Sequence, residues 1–255
     1  MNMAPTDRET AWPRLAPLGT DGLLVSFGDR LDDAANRAAL SFRAAADGAG
    51  IGGLAETATS LASVYLRFEG APADIEMATE KVRQLMHHRD WLRAELPQGR
   101  RLWRIPCVFG TDLAPQLDEA ATAAGLSAEA AVRSITSTRL RVQTIGFAPG
   151  QPYLGELPPE WDIPRQSRLT DRIPIGALCV AIRQMVLFTV STPTGWRHVG
   201  QTAFSGFRPE AATPFVLAAG DEVEFHAVSA DDLSRMAAAG PDGGSTAEPL
   251  PCAAL

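Results

Sequence analysis

The sequence predicts an α+β chain in two parts, a small α/β sandwich followed by a β-barrel. Three observations carry that prediction. Residues up to about 96 alternate short apolar runs with Ala-rich helical stretches in the order β-α-β-(β)-α, which places helices on one face of a sheet. From about Arg141 the chain turns to short β-branched runs separated by Gly and Pro, a pattern that suits a barrel better than an open parallel sheet. Between them Leu96-Pro-Gln-Gly-Arg-Arg joins Pro and Gly to charge, as linkers do. The expected division is 14–96 for the sandwich, 101–230 for the barrel and 231–255 for a disordered tail.

Residues 1 to about 13 are polar with two prolines and are expected to be loose. Leu23, Leu24, Val25 and Phe27 form an apolar run closed by Gly28-Asp29, a strand. Asp32 or Asp33 caps a helix reaching about Ala46, with Ala35, Ala38, Ala39, Phe42 and Ala46 near one face. Thr57 to Phe68 reads as one strand or two; Val64, Leu66 and Phe68 alternate with Tyr65 and Arg67, as in a half-buried strand. Pro72 and Asp74 open a second helix with Ile75, Ala78, Val82, Leu85 and Met86 at helical spacing. His87-His88 at its end point in different directions, so they make a poor chelate, and no metal site is expected.

Leu102 to Gly110 reads as a strand running into a turn. An Ala-rich helix from Leu117 stops at Gly125, and Ser127 caps another containing Ala131, Val132 and Ile135. Later strands are expected at Arg141–Ile145, Cys179–Arg183, Leu187–Ser191 and Glu222–Val228, with Gly220-Asp221 as the tight turn into the last.

Composition bounds the function. The chain has 255 residues, 45% of them hydrophobic, enough for a sizeable core. A net charge of −7 provides no field for phosphate backbones, so the helix–Gly–helix stretch is not read as a nucleic-acid binder. Cys107, Cys179 and Cys252 are too scattered for a disulfide framework or zinc. No stretch is long and apolar enough to span a membrane, and the N-terminus lacks a signal-peptide core, so a cytoplasmic location is expected.

Gly, Pro and single aromatics punctuate the stretch Ile145 to Thr202, and a chain that stiffens its loops this way is shaping a site or a set of barrel turns. Its motifs are Gly146-Phe-x-Pro-Gly-x-Pro-Tyr-Leu-Gly, Leu157-Pro, Ile163-Pro-Arg, Arg172-Ile-Pro-x-Gly, a lone Gln184 and Pro193-x-Gly-Trp-Arg-x-x-Gly-x-Thr. In that order they resemble the allophanate hydrolase subunit 1 family, which includes the 5-oxoprolinase B subunit and the Kip inhibitor of a sporulation histidine kinase. Weaker agreement runs from Asp21-Gly-Leu-Leu-Val-Ser-Phe-Gly-Asp to Gly220-Asp221-x-Val-x-Phe. The resemblance implies a ferredoxin-like N-terminal domain and a cyclophilin-like β-barrel domain. It also implies a homologous second barrel partner, similar to allophanate hydrolase subunit 2 or the 5-oxoprolinase C subunit, and a LamB/YcsF-like subunit. With these, bacterial members cleave 5-oxoproline using ATP, while fused relatives form the carboxyltransferase part of urea carboxylase.

The sequence departs from the family pattern in four places. The turn after the first barrel strand is Cys107-Val-Phe-Gly-Thr-Asp-Leu, without a second Gly. Ile135 stands where a His is common, Gln151 where an aromatic is, and Ile182-Arg183-Gln184 where the family has Gly-Gly-Gln.

The residues themselves offer these chemistries. Phe147 and Tyr153 flank Pro149-Gly150 and could wall a pocket for a small planar amide, or simply pack under a rigid loop. Gly146 and Gly150 let backbone N–H groups approach an anion, or serve turn geometry alone. Arg165 is the preferred partner for a substrate carboxylate, with Arg172 the other candidate. Gln184 can donate to and accept from an amide or ureido group, or face water. Trp196 is read first as a core filler and second as a pocket wall, and His198 is the one histidine of the motif-rich stretch. Cys107 has no evident base and reads as a buried thiol. No catalytic residue is assigned. The substrate-binding candidates are therefore Gly146, Phe147, Pro149, Gly150, Tyr153, Arg165, Gln184, Trp196 and His198. The expectation is a subunit of an ATP-dependent 5-oxoprolinase-like amidohydrolase acting on a small cyclic amide or ureido substrate, with ATP as cosubstrate of the complex. No G-x-x-x-x-G-K loop is present to bind the nucleotide here. The alternatives are a Kip-type kinase inhibitor and a biotin-dependent carboxyltransferase half.

Overall fold

The structure is a computed structural model and describes residues 12–251. The loose segment expected before residue 13 falls almost wholly outside the described residues, as does Cys252. The chain divides into two compact units, one ending at Gln98 and the other beginning at Gly99.

The first unit is an antiparallel sheet with two helices. Its strands are β1 (Arg14–Leu18), β2 (Gly22–Ser26), β3 (Leu54–Thr59) and β4 (Ser63–Phe68), arranged β1-β2-β4-β3. Helices α1 (Asp33–Gly48) and α2 (Pro72–His87) follow β2 and β4. This is the ferredoxin-like arrangement, except that its fourth strand, β1, comes from the chain before β2. The sequence does not announce β1, because RLAPL is short, mostly exposed and interrupted by Pro17, as tolerated only at an edge. Asp32 caps α1 through a 2.7 Å bond from the Ala35 amide, as its position predicts. The core joins Leu23, Val25 and Phe27 to Val64, Leu66 and Phe68 and to one face of each helix. Phe42 packs between Phe27 and Trp91, with ring centroids 5.4 and 5.0 Å away.

The second unit is the cyclophilin-like barrel. Its strands are β5 (Arg101–Phe109), β6 (Leu140–Ile145), β7 (Pro152–Gly155), β8 (Ala177–Ala181), β9 (Gln184–Leu187), β10 (Arg197–Gln201) and β11 (Glu222–Ala227). They run in the order β10-β8-β9-β7-β6-β11-β5, and β10 then pairs with β5 through Gly200↔Phe109 and Gln201↔Val108 to close the ring. Closure joins the two end strands of these seven, although β10 reaches only the last residues of β5, Val108 and Phe109. Helices α3 (Leu117–Ala123) and α4 (Ala128–Thr136) add Leu117, Ala120, Ala121, Ala131 and Ile135 to the barrel core. The Gly220-Asp221 turn has a specific purpose. Asp221 is buried, and its carboxylate accepts from the Arg101 amide (2.8 Å), the Arg101 guanidinium (2.8 Å), Trp103 Nε1 (3.2 Å) and the Ala218 amide (3.0 Å), tying the start of β11 to β5.

Three expectations need correction here. The strand read as Cys179–Arg183 is Ala177–Ala181, and the one read as Leu187–Ser191 is Gln184–Leu187. Ile182 and Arg183 both take positive φ, 46° and 60°, and form the two-residue turn of a tight hairpin. The sequence hides this because neither residue is a usual turn former. Strands β7 and β10 are additions to the expected set, because PYLG and RHVGQ carry Pro or Gly and little apolar alternation. The tail from 231 is structured as far as Pro249. Helix α5 (Ala230–Ala239) buries Leu233, and β12 (Thr246–Pro249) pairs antiparallel with β5. Its small residues, read as a sign of disorder, allow close packing: a Cβ on Gly243 would stand 2.4 Å from the Ala203 carbonyl carbon.

Candidate functional site

Strand pairing builds one face of the barrel wall from four strands. His198 on β10 lies opposite Cys179 on β8, Cys179 opposite Val186 on β9, and Val186 opposite Tyr153 on β7. Opposed residues share a face of the sheet, and so do residues two apart. Trp196 therefore joins His198, and Gln184 joins Val186. This face has its own apolar cluster of Ile173, Ala177, Cys179, Ala181, Val186, Phe188 and Trp196, with Tyr153 packed against it. The alternate residues, among them Leu178, Val180, Met185, Leu187 and Val199, fill the barrel interior.

The segment from Arg165 to Pro174 lies along this face. The Gln166 amide donates to the Gly195 carbonyl at 2.7 Å, Thr170 bridges to Thr194, and the Ile173 amide donates to the Thr192 carbonyl at 3.1 Å. Pro164 and Pro174 bound it, and Arg165 and Arg172 sit near its ends. At one end Tyr153 meets Trp196 edge-on (centroids 6.2 Å apart, 74° between planes), and the Arg165 guanidinium carbon stands 5.1 Å above the Trp196 ring. Tyr153, Arg165 and Trp196 are thus brought together. Trp196 is only 5% exposed and belongs to the apolar cluster of this face, so it serves as core filler.

At the other end a cleft of about 660 Å3 is lined by Asp112, Gln116, Thr170, Arg172, His198 and Gln201 on its polar side, with Leu113, Pro115, Ile173 and Pro174 between them. That volume suits a small molecule. Helix α3 and strand β10 are knitted together at its base. The His198 amide donates to Gln116 Oε1 (2.9 Å), Gln116 Nε2 to Gln166 Oε1 (2.8 Å), and Gln166 Nε2 to the Trp196 carbonyl (3.1 Å). The His198 side chain is 4% exposed and its Nε2 has no hydrogen-bond partner. Burial lowers its pKa; the Gly200 backbone and the Gln201 side chain oppose that shift without cancelling it, so the ring is neutral at pH 7.

The remaining candidates have other placements. The Gly146 amide donates to the Gln151 carbonyl at 3.1 Å, so it is not available to an anion. Gly150, at φ 68°, packs against the next loop, where a Cβ would stand 2.8 Å from the Gly206 carbonyl oxygen. The Pro149 carbonyl accepts from Thr189 Oγ1 at 2.8 Å. Phe147, at φ 70°, is 75% exposed and pairs with no other ring among the described residues, so it does not wall a pocket with Tyr153. Gln184 does not face water. It is 4% exposed, and its Nε2 donates to Gln143 Oε1 at 2.7 Å. Cys107 is a buried thiol, as read, and so is Cys179; burial drives both pKa values up, which disqualifies them as nucleophiles.

Gln116, Gln166 and Gln201 are functional candidates that the sequence does not single out. Isolated glutamines carry no spacing signature, although Gln201 does lie inside the Gly-x-Thr end of the Trp196 motif. Among the described residues no group of three or more His, Cys, Asp or Glu side chains could hold a metal ion, and no helix is long and apolar enough to cross a membrane.

Comparison with known proteins agrees with this architecture. The chain is 29% identical over 229 residues to the B subunit of 5-oxoprolinase from Bacillus subtilis (strain 168), spanning 86% of this chain and 94% of that one. It is 32% identical over 149 residues to the 5-oxoprolinase B subunit of Escherichia coli O157:H7, spanning 58% of this chain and 68% of that one. A crystal structure of TTHA0988 superposes with a TM-score of 0.69 at 28% identity over 82% of this chain, which spans 40% of that longer chain. The urea amidolyase of K. lactis shares the fold at 14% identity (TM-score 0.68) over 92% of this chain, which spans 16% of its length. A family model for the carboxyltransferase domain, subdomain C and D, matches residues 13–217. The strand order, the closed barrel and these matches together place the chain in the carboxyltransferase-domain C and D family, whose relatives include the 5-oxoprolinase B subunits.

Proposed function

We propose that the chain is one subunit of an ATP-dependent amidohydrolase of the 5-oxoprolinase kind, acting with a homologous second barrel subunit on a small cyclic amide or ureido substrate. The observation that carries this reading is near full-length similarity to a 5-oxoprolinase B subunit, combined with a barrel face that offers a cleft but no self-contained catalytic set. Both thiols are buried, and among the described residues no carboxylate is hydrogen-bonded to His198 to orient it as a base. Chemistry therefore depends on groups from other subunits, the second barrel and a LamB/YcsF-like chain, with ATP bound at least partly outside this chain.

The rim supports a docking role. Phe147 is 75% and Phe215 57% exposed, and Phe215 packs on Phe207 with centroids 5.3 Å apart, beside the loop that holds Gly150. Aromatic side chains displayed on a rigid loop suit a protein partner. The direct test is co-expression with the second barrel and the LamB/YcsF-like subunit. The expected result is a stable complex that hydrolyses ATP when 5-oxoproline is supplied. Binding to a histidine kinase without turnover, or carboxyl transfer from carboxybiotin, would replace this reading with one of its two alternatives.

A further inference from the structure

Two buried polar atoms at the His198 cleft lack partners. His198 Nε2 is one. The other is Gln201 Oε1. The amide nitrogen of Gln201 donates to the carbonyls of Ile175 and Thr202, both at 2.9 Å, which fixes the side chain with its oxygen facing the His198 ring, close enough to favour the ring's protonation but outside hydrogen-bond geometry, so that oxygen still has a lone pair open. Folded proteins rarely strand buried polar atoms, because each costs on the order of 1–3 kcal/mol when unpaired. Here two occur within one short stretch of β10, and both side chains line the same cleft. The cleft also holds an exposed guanidinium, Arg172, which makes no ion pair among the described residues, and one carboxylate, Asp112. A single cation beside a single anion suits a monocarboxylate and disfavours a polyphosphate. Arg165, by contrast, is already stacked on Trp196.

We propose that this cleft is the ligand pocket of the chain. It takes a small monocarboxylate that carries an N–H group, with Arg172 holding the carboxylate and Gln201 Oε1 accepting from the N–H. His198 completes the polar floor beside it. Both unpaired atoms are shielded from bulk water, so the ligand reaches them after small rotations of the lining side chains, a common change on binding. A site that leaves an acceptor unpaired rejects ligands lacking the matching donor. The choice of ligand rests on the amidohydrolase reading; the location of the pocket does not.

The test is titration of the full chain, alone and with the second barrel subunit, using 5-oxoproline as the probe. Its lactone counterpart lacks the N–H and its methyl ester lacks the anion. The expected result is binding of 5-oxoproline, weakened about tenfold or more for either analogue and for Arg172→Gln. Arg172→Lys restores part of the loss, and Arg168→Gln, an exposed arginine of the same segment, changes nothing. Far-UV circular dichroism confirms that each variant is folded. Equal binding of the lactone would remove the Gln201 role. Loss with Arg165→Gln but not with Arg172→Gln would move the ligand to the aromatic end and overturn the proposal, as would failure of every carboxylate tried to bind in either setting. If glutamate binds in an Arg172-dependent way while 5-oxoproline does not, the pocket stands and the oxoprolinase reading falls. If the assembled complex turns over 5-oxoproline equally well with Arg172→Gln, the pocket falls and the reading stands.

Discussion

Single side chains set the properties of the barrel face. Burial holds the His198 pKa below the ordinary imidazole value of 6.5, and burial does the same for His226. The unfolded chain therefore binds more protons than the folded one once pH falls below about 6.5. Stability from these groups is fully present above that pH and declines on acidification toward the lowered folded values. Denaturant unfolding between about pH 5.5 and 7.5 is expected to show that decline, and His198→Asn to flatten it; parallel curves for the two proteins would count against a buried neutral imidazole. The Gln143–Gln184 pair supplies a second case. A Cβ on Gly155 would stand 2.5 Å from Gln143 Oε1, so Gly155→Ala must displace the amide that holds Gln184. The expected cost is about 1–3 kcal/mol in unfolding free energy, measured by urea titration.

At the scale of elements, the β8–β9 hairpin shows how a departure from the family pattern is absorbed. Ile182 and Arg183 stand where the resemblance implies two glycines, and the backbone has a glycine-like shape at both, with φ of 46° and 60°. Arg183 has compensation: its guanidinium pairs with Glu156 at 3.0 Å and donates to the Leu157 carbonyl at 3.0 Å. Ile182 has a side chain 42% exposed and a branched Cβ in a region that branched residues avoid. Ile182→Asn is expected to stabilise the barrel by about 1 kcal/mol, read as a higher denaturation midpoint with an unchanged slope. A fall in the midpoint would mean that the residual packing of Ile182 outweighs the strain.

For the whole molecule, the barrel depends on the C-terminal segment as well as on its seven strands. β12 pairs with β5 along Arg101–Arg104, a stretch that β10 does not reach, and Arg104 pairs with Glu248 at 2.8 Å. Truncation after Gly240 removes that cover and leaves an unpaired strand edge. The expected outcome is a loss of about 1–2 kcal/mol, several degrees in Tm, together with concentration-dependent association in light scattering. An unchanged Tm would show that β12 contributes nothing to the barrel.

The sequence by itself determined the two-part α+β layout, the start of α1 at Asp32 or Asp33 and the Ser127 cap of α4, the alternating Val64-Leu66-Phe68 face and the family. Each follows from local periodicity, capping chemistry or an ordered motif, all of which act over a few residues. The meeting of Tyr153, Trp196 and Arg165 was partly legible, since all three lie in motifs, but their contact was not. Only the tertiary structure decided that Gln184 turns to Gln143, that Phe147 faces outward, and that His198, Gln201 and Arg172 line one cleft. The reason is strand pairing: which residues share a face is set by register between strands far apart in the chain, and register depends on hairpin turns such as Ile182-Arg183 whose residue types do not announce them.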